Sequence, residues 1–502
     1  MNELHRLHIA AIFVSFLTAL RSFLIPLVLS FFLGNTNEPA GLFRFEYIWM
    51  AILTFVFIQG IGHWLTFRFR ISEGELYIQR GIFIKKKRYI QQQKVQSIDI
   101  TAGFFQRLFG LVKLRIETAG GGAEPEVNLI AISRENAENI RSLLLKKHRN
   151  TMEYEKEGSE EQINNTKEET SFTWLLSRRH LLIAALTSSG IGLAISAVAA
   201  LFSQVEQFLP ESIYDLIFGF LGQSGFFLIV TLLFTVVLLS WCISFVGTLL
   251  KYGGFKIEKH GEELVISRGL IEKRQLTIHT NRVTAVRIVR NIFRQPFGFS
   301  AIYVESAGGG TNEEQLSTVL LPIVRHSDIK TILNELLPSY AVSYSLHSVP
   351  KRSRLRFIIR NIVTPLLFII VIGYFFNPVA YYGFSFIFIF IVFGYLQYKD
   401  AGAGYSERLL ILRHRKISQT TVISELRKVQ AVETRTSFFQ EKRSLTSFRF
   451  SILSSVIGKS FTVFDLDQTY ANKILEWYSK NKKEYVPIEE DNSLKINRKK
   501  GY

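Results

Sequence analysis

Residues 80–122 read RGIFIKKKRYIQQQKVQSIDITAGFFQRLFGLVKLRIETAGGG, and residues 268–310 read RGLIEKRQLTIHTNRVTAVRIVRNIFRQPFGFSAIYVESAGGG. Arg80-Gly81, Lys94-Val95 and Ala119-Gly120-Gly121-Gly122 return as Arg268-Gly269, Arg282-Val283 and Ala307-Gly308-Gly309-Gly310, each displaced by 188 positions with no gap. Phe105, Phe109-Gly110 and Glu117 return in the same register as Phe293, Phe297-Gly298 and Glu305. A repeat of this kind sets the unit of folding before any element is assigned.

Within each copy, short runs rich in Ile, Val, Phe and Tyr alternate with polar residues and stop at Gly or charged turns, which predicts antiparallel strands. Leu76-Tyr77-Ile78, Val112–Thr118 and Ala301–Ser306 are examples. A third, degenerate copy carries Lys428-Val429-Gln430 and Phe438-Phe439-Gln440 where the first has Lys94-Val95-Gln96 and Phe104-Phe105-Gln106. It lacks the glycine triplet but keeps strand-like runs at Leu409–Leu412 and Phe461–Phe464. Each copy closes with an amphipathic pattern. Ser133, Ser327 and Asp467 are the expected N-caps, ahead of apolar stripes Ile140/Leu143/Leu144, Ile329/Ile332/Leu333/Leu336 and Ala471/Ile474/Leu475/Tyr478 at helical spacing.

The run from Gly81 through Lys94-Val95-Gln96 to Phe105, with its closing helix and a preceding apolar hairpin, resembles the bacterial pleckstrin-homology-like domain. Three such hairpin-plus-domain units in one chain look like the YdbT-type membrane proteins. The resemblance implies a small split β-barrel with a C-terminal helix for each unit and a bacterial inner-membrane location. It implies no substrate and assigns no binding residues.

Between and before the copies lie apolar stretches in pairs: Ile9 to Leu33 and Tyr47 to Leu65, Leu181 to Phe202 and Phe226 to Leu250, Phe357 to Phe376 and Tyr381 to Tyr398. Since a helical span needs about 20 mostly apolar residues, six transmembrane helices in three hairpins are expected. The connections inside the pairs hold Arg44 as their one Lys or Arg, with Glu38, Glu46, Glu206, Glu211 and Asp215. Positive residues are retained in the cytoplasm, so both termini and all three domains are expected there. An α+β membrane protein follows, with hairpin 1 over residues 1–65, a PH-like domain over 66–149, an acidic linker over 150–172, and hairpin 2 over 173–250. The second PH-like domain then takes 251–339, an interfacial segment with hairpin 3 takes 340–398, the degenerate domain takes 399–482, and residues 483–502 read as a disordered tail.

The composition agrees with this plan. Of 502 residues 48 % are hydrophobic and 43 are Phe, and the net charge of +18 lies in the polar segments, where it faces an anionic inner leaflet rather than nucleic acid. The single cysteine, Cys242, excludes disulfides within the chain and thiolate metal sites. No His-Glu-x-x-His, Gly-x-Ser-x-Gly or complete phosphate-loop pattern is present. The triple-glycine loops lie between strands, where hairpin turns use Gly, and Gly458-Lys459-Ser460 lacks the first glycine a phosphate loop needs. The chain therefore reads as noncatalytic and free of cofactors.

Two sets of residues are singled out. The basic cluster Lys85-Lys86-Lys87-Arg88, with Lys273-Arg274 at nearby positions of the second copy, is read either as a solvated strand end beside the membrane or as a contact to lipid headgroups or a partner. Arg21 and Arg360 belong to a second repeat, Leu7-His8/Arg21/Pro26 against Leu346-His347/Arg360/Pro365, displaced by 339. Arg360, among Lys351, Arg352, Arg354 and Arg356, is placed at the cytoplasmic interface, and Arg21 by analogy with it; the alternative sets Arg21 mid-span, at a cost of about 2.5–3.5 kcal/mol. The expected function is a scaffold: the PH-like domains bind a partner membrane protein, a further copy of the chain, or anionic lipid, in support of envelope integrity or resistance to membrane-active antimicrobials. The alternative is a transporter or lipid-moving protein with regulatory domains.

Overall fold

The structure, a computed structural model, describes residues 4–33, 45–72, 75–82, 84–118, 127–145, 171–188, 196, 226–306, 318–375, 383–454 and 458–485. Two units are distinguished, Met1–Arg282 with Gly308–Gln315 and Val283–Ala307 with Leu316–Tyr502. The second repeat is thus divided at its Arg282-Val283 motif. The triple-glycine loops, residues 150–170 of the acidic linker, most of the loops inside the hairpins and residues 486–502 lie outside the described residues, whereas 483–485, read as the start of a disordered tail, continue the last helix to Tyr485.

In the first unit the order is β1 (His5–Arg6), α1 (Ala10–Leu33), α2 (Phe45–Thr66), β2 (Arg68–Ser72), β3 (Glu75–Arg80), β4 (Lys86–Gln91), β5 (Val95–Ala102), α3 (Phe104–Leu108), β6 (Leu111–Thr118), β7 (Val127–Ser133) and α4 (Arg134–Leu145). β8 (Phe172–Leu175), α5 (Arg178–Leu186), α6 (Phe226–Tyr252), β9 (Lys256–His260), β10 (Glu263–Arg268) and β11 (Lys273–His279) follow. The strands form an antiparallel four-stranded sheet, β1-β2-β3-β4, and a seven-stranded sheet, β7-β6-β5-β11-β10-β9-β8.

Period-two patterning explains the first core. In β6, Val112, Leu114 and Ile116 turn inward while Lys113, Arg115 and Glu117 alternate with them. They meet Phe69, Leu76 and Ile78 from the four-stranded sheet, Ile98 from β5, and Ile140 and Leu144 from α4. Burial of each such side chain stabilises by about 1.5–3 kcal/mol. Ser133 caps α4 as expected, its hydroxyl accepting from the Asn136 amide at 3.2 Å. Leu143, assigned to the apolar stripe, is exposed.

The Arg-Gly shared by the first two copies has a steric cause. Gly81 and Gly269 adopt φ of +117° and +102°, and a Cβ on either would stand 1.9 Å from the carbonyl oxygen of Ile84 or Glu272. Only glycine fits this turn.

The second unit runs β12 (Val283–Arg290), β13 (Phe299–Ser306), β14 (Thr318–Arg325), α7 (Ile329–Leu336), β15 (His347–Ser348), α8 (Arg354–Phe375), α9 (Ile387–Asp400), β16 (Gly402–Tyr405), β17 (Leu409–Arg415) and β18 (Gln419–Glu425). It ends with β19 (Val429–Arg435), α10 (Phe438–Glu441), β20 (Leu445–Ile452), β21 (Lys459–Asp467) and α11 (Gln468–Tyr485). Its sheets are β14-β13-β12-β18-β17-β16-β15 and β19-β20-β21. Leu410, Leu412 and Val422 of one and Phe448, Phe450 and Val463 of the other close a core with Ala471 and Ile474 of α11. Asp467 caps α11, accepting from the amides of Thr469 and Tyr470. Ser327 does not cap α7: it lies in a 3-10 turn and its hydroxyl donates to the Asp328 carboxylate.

Expectation and structure part over the spans. Among the described residues three helices are long and apolar enough to cross a bilayer, at Trp49–Thr66, Phe234–Tyr252 and Lys351–Phe375, rather than six. The stretch read as Tyr381–Tyr398 yields α9, which is 14 residues long, below the ~20 a span requires. In α1 the described apolar stretch is Ala10–Leu20, and most of Leu181–Phe202 lies outside the described residues.

Candidate functional site

The pairing of β5 with β11 joins the first repeat to the second. Asp99 stands opposite Leu276, Thr101 opposite Arg274 and Ala102 opposite Lys273. Diagonally across this ladder the Arg274 guanidinium grips Asp99, Nε donating at 3.1 Å to both carboxylate oxygens and Nη2 lying 3.0 Å from Oδ2. The Thr101 hydroxyl also donates to Asp99 at 3.2 Å. Arg282 ties the same seam, its Nη2 donating to the Gln93 carbonyl at 2.9 Å. Removal of such a pair from water is offset only by this dense bonding.

Arg107 makes a second tie. It sits on α3, and its Nη1 donates at 3.0 Å to the carbonyls of both Leu270 and Ile271. That turn is in turn held on the end of α6: the Gly269 amide donates to Gly253 at 2.8 Å and the Leu270 amide to Leu250 at 3.0 Å. Leu270 fills the space over Gly253, where a Cβ would come within 2.2 Å of its Cγ.

Between these ties opens a cavity of about 520 Å³, a size suited to a small ligand or headgroup. Its charged lining is Arg107, Arg134, Arg268, Lys273 and Arg274, with no carboxylate among the lining residues, over an apolar floor of Ile100, Leu111 and Val112. Arg268 is 9 % exposed and its guanidinium lies 5.7 Å from the Tyr252 ring at the end of α6, a cation–π contact. Phe104 and Leu108 on α3 and Leu270 and Ile271 on the turn are large and exposed beside it. An electropositive cleft with an apolar rim at the end of an apolar helix suits an anion whose tail is hydrocarbon.

The residues chosen from sequence fare unevenly. Lys85, Lys86, Lys87 and Arg88 are exposed, in and before β4 at one end of the four-stranded sheet. Lys273 is exposed in the cavity wall, and Arg274 is engaged by Asp99. The two clusters therefore occupy different sheets. Arg21 lies on α1, with its side chain outside the described residues. Arg360 lies on α8, 3.6 Å from Asp465, with its guanidinium 4.7 Å from the Phe357 ring and 4.5 Å from the Phe464 ring. Arg107, Arg134 and Asp99 were not singled out, and Arg268 was read only as part of the repeated Arg-Gly pair. They are isolated single charges on separate elements, and no local pattern announces that they converge.

In the second unit Glu305 is fully buried, accepting from Lys459 Nζ at 2.8 Å and Arg287 Nη1 at 2.9 Å. Burial, ahead of the Arg287 charge, holds the Lys459 amine below its ordinary range, against the pull of Glu305. Between α8 and α9 an apolar groove of about 710 Å³ is lined by Phe368, Ile372, Phe390 and Phe393, with Arg360 and Asn361 also in its wall. Among the described residues no cluster of three or more His, Cys, Asp or Glu could hold a metal ion.

Comparison with known proteins finds one family three times along the chain. The family described as Bacterial PH domain matches residues 11–148, 216–339 and 354–482. The UPF0699 transmembrane protein YdbT of Bacillus subtilis (strain 168) is 34 % identical over 497 residues, covering 96 % of this chain and 99 % of that protein.

Proposed function

The chain belongs to the bacterial PH domain family as a membrane protein, and from that premise we propose that it is a noncatalytic scaffold of the bacterial cell (inner) membrane. Its strand domains stand on the cytoplasmic side, and the cavity between β5, β11 and the end of α6 holds the headgroup of an anionic lipid. One observation carries this reading: five cationic side chains and no carboxylate line a cavity built against the end of a span-length apolar helix. Each basic residue close to an anionic surface contributes about 1 kcal/mol of attraction, and exposed Phe104, Leu108, Leu270 and Ile271 suit the boundary between headgroups and acyl chains. In that role the lipid-anchored domains support the envelope and its resistance to membrane-active antimicrobials.

The test uses the full chain reconstituted in nanodiscs of mixed phosphatidylglycerol and phosphatidylcholine. Native mass spectrometry after detergent release is expected to show retained phosphatidylglycerol. Retention of neither lipid, or of both equally, overturns the reading. Fusions of a topology reporter after Glu160, Ser345 and Tyr502 are expected to be cytoplasmic in every case.

A second reading has its own observation. The groove between α8 and α9 is lined chiefly by apolar side chains, Phe368, Ile372, Phe390 and Phe393 among them, as a path for a lipid tail would be. Lipid exchange between vesicles, accelerated by the reconstituted protein, would favour a lipid-moving role.

A further inference from the structure

Consecutive repeats join by one edge junction, used twice in one register. In the first unit β5 lies on β11, with Asp99 opposite Leu276 and Ile98 opposite Thr277. In the second unit β12 lies on β18, with Arg287 opposite Val422 and Val286 opposite Ile423. Arg287 stands 188 positions after Asp99, and alignment of Arg282 with Lys428 puts Val422 in the place of Leu276. Each β5-type strand therefore receives the β4-type strand of the next repeat. Three repeats joined this way leave one strand of each kind over. They are β4 and β19, each the last strand of its sheet, and among the described strands none lies beyond either.

Burial follows the same rule. Thr277 and Ile423, inside the two junctions, are each 1 % exposed, whereas Tyr89 at the same place on β4 is 60 % exposed. Ala285 is fully buried in β12, whereas Ala431, its counterpart on β19, is exposed.

We propose that β4 of one chain receives β19 of a second copy of this chain, in the register of the two internal junctions, so that copies join head to tail. Val432 then stands opposite Tyr89 and Thr434 opposite Lys87. The occupant is a second copy because the two leftover strands are complementary in kind and belong to one polypeptide. Charge agrees at the decisive place: Glu433 takes the position of Asp99 and Lys86 that of Arg274, which restores the diagonal ion pair of the internal seam. Lysines along an edge discourage arbitrary strands, and a strand bearing a carboxylate there is the one admitted. Such a contact is heterologous, so it closes into a ring or continues as a row in the membrane plane. None of this depends on the lipid cavity.

The experiment uses full-length chains in native membranes, with Cys242→Ser as background. One tagged chain carries Lys87→Cys and a differently tagged chain Thr434→Cys. Mild oxidation is expected to link the two tags, about tenfold more than Lys87→Cys with Glu433→Cys, because only side chains directly opposite on one face approach disulfide distance. Absence of the link, equal yield from the two pairs, or a link formed solely to a different polypeptide overturns the proposal. Glu433→Lys is expected to abolish the link, and Lys86→Glu on the opposing chain to restore it.

Discussion

Asp99 and Arg274 sit 175 residues apart in different copies of one repeat, yet their side chains form a two-pronged ion pair at 3.1 Å, with side-chain exposures of 6 % and 13 %. The pair fixes the seam where the first repeat's sheet continues into the second's, and the same seam forms one wall of the basic cavity.

Truncation of the carboxylate should therefore cost more than a surface ion pair would. Asp99→Ala leaves a largely buried guanidinium without its counter-charge, and a loss of about 3 kcal/mol is expected. Replacement of both partners, Asp99→Leu with Arg274→Met, is expected to recover most of it. Thermal unfolding of the detergent-solubilised chain checks both, and equal destabilisation by the single and double variants would disprove the coupling.

The glycine turn gives a contrast within one short segment. Gly254 has φ of +64° with open space where a Cβ would stand, whereas Gly269 combines φ of +102° with the carbonyl oxygen of Glu272 at 1.9 Å from that position. Gly254→Ala should cost about 1 kcal/mol, from the left-handed backbone alone. Gly269→Ala should cost at least about twice that, because the backbone must also move. Unfolding midpoints of the two variants, measured side by side, provide the comparison.

Lipid retention is expected to track the cavity's exposed cations. Arg134→Gln with Lys273→Gln removes two charges of the lining, and at about 1 kcal/mol each a reduction in phosphatidylglycerol retention of roughly 30-fold is expected. Lys85→Gln with Lys87→Gln, on the other sheet, should change it far less. If the two pairs of substitutions act equally, general surface charge rather than the cavity governs binding.

His414 supplies a pH dependence. Burial, then the charges of Lys416 and Arg287, lower its pKa from 6.5 to about 4. The unfolded chain thus binds a proton that the folded chain refuses. Stability from this residue is fully present above pH 6.5 and is lost as the pH falls toward 4, by up to about 1.4 kcal/mol per pH unit. His414→Phe should flatten the fall in unfolding midpoint between pH 6.5 and 4, and an unchanged slope would rule the residue out.

The sequence by itself determined the repeat, the strand runs at Leu76-Tyr77-Ile78, Val112–Thr118 and Phe461–Phe464, and the caps at Ser133 and Asp467. All of these are local: period-two patterning, glycine sterics and a hydroxyl or carboxylate beside free amides act within a few residues. The cap assigned to Ser327 failed because Ser327 itself lies in a 3-10 turn, His326–Asp328, and Asp328 stands at the start of α7. Short-range pattern cannot see such a turn. What only the tertiary structure decided is which edge meets which. The second repeat's strands β9–β11 do not stand apart from the first repeat but extend its sheet, and Asp99 finds Arg274 there. Backbone edges carry donors and acceptors without sequence identity, so their pairing is chosen by the burial and charge of residues far apart in the chain. The cavity follows from that choice, since Arg107, Arg134, Arg268 and Lys273 converge only after β5 and β11 have joined.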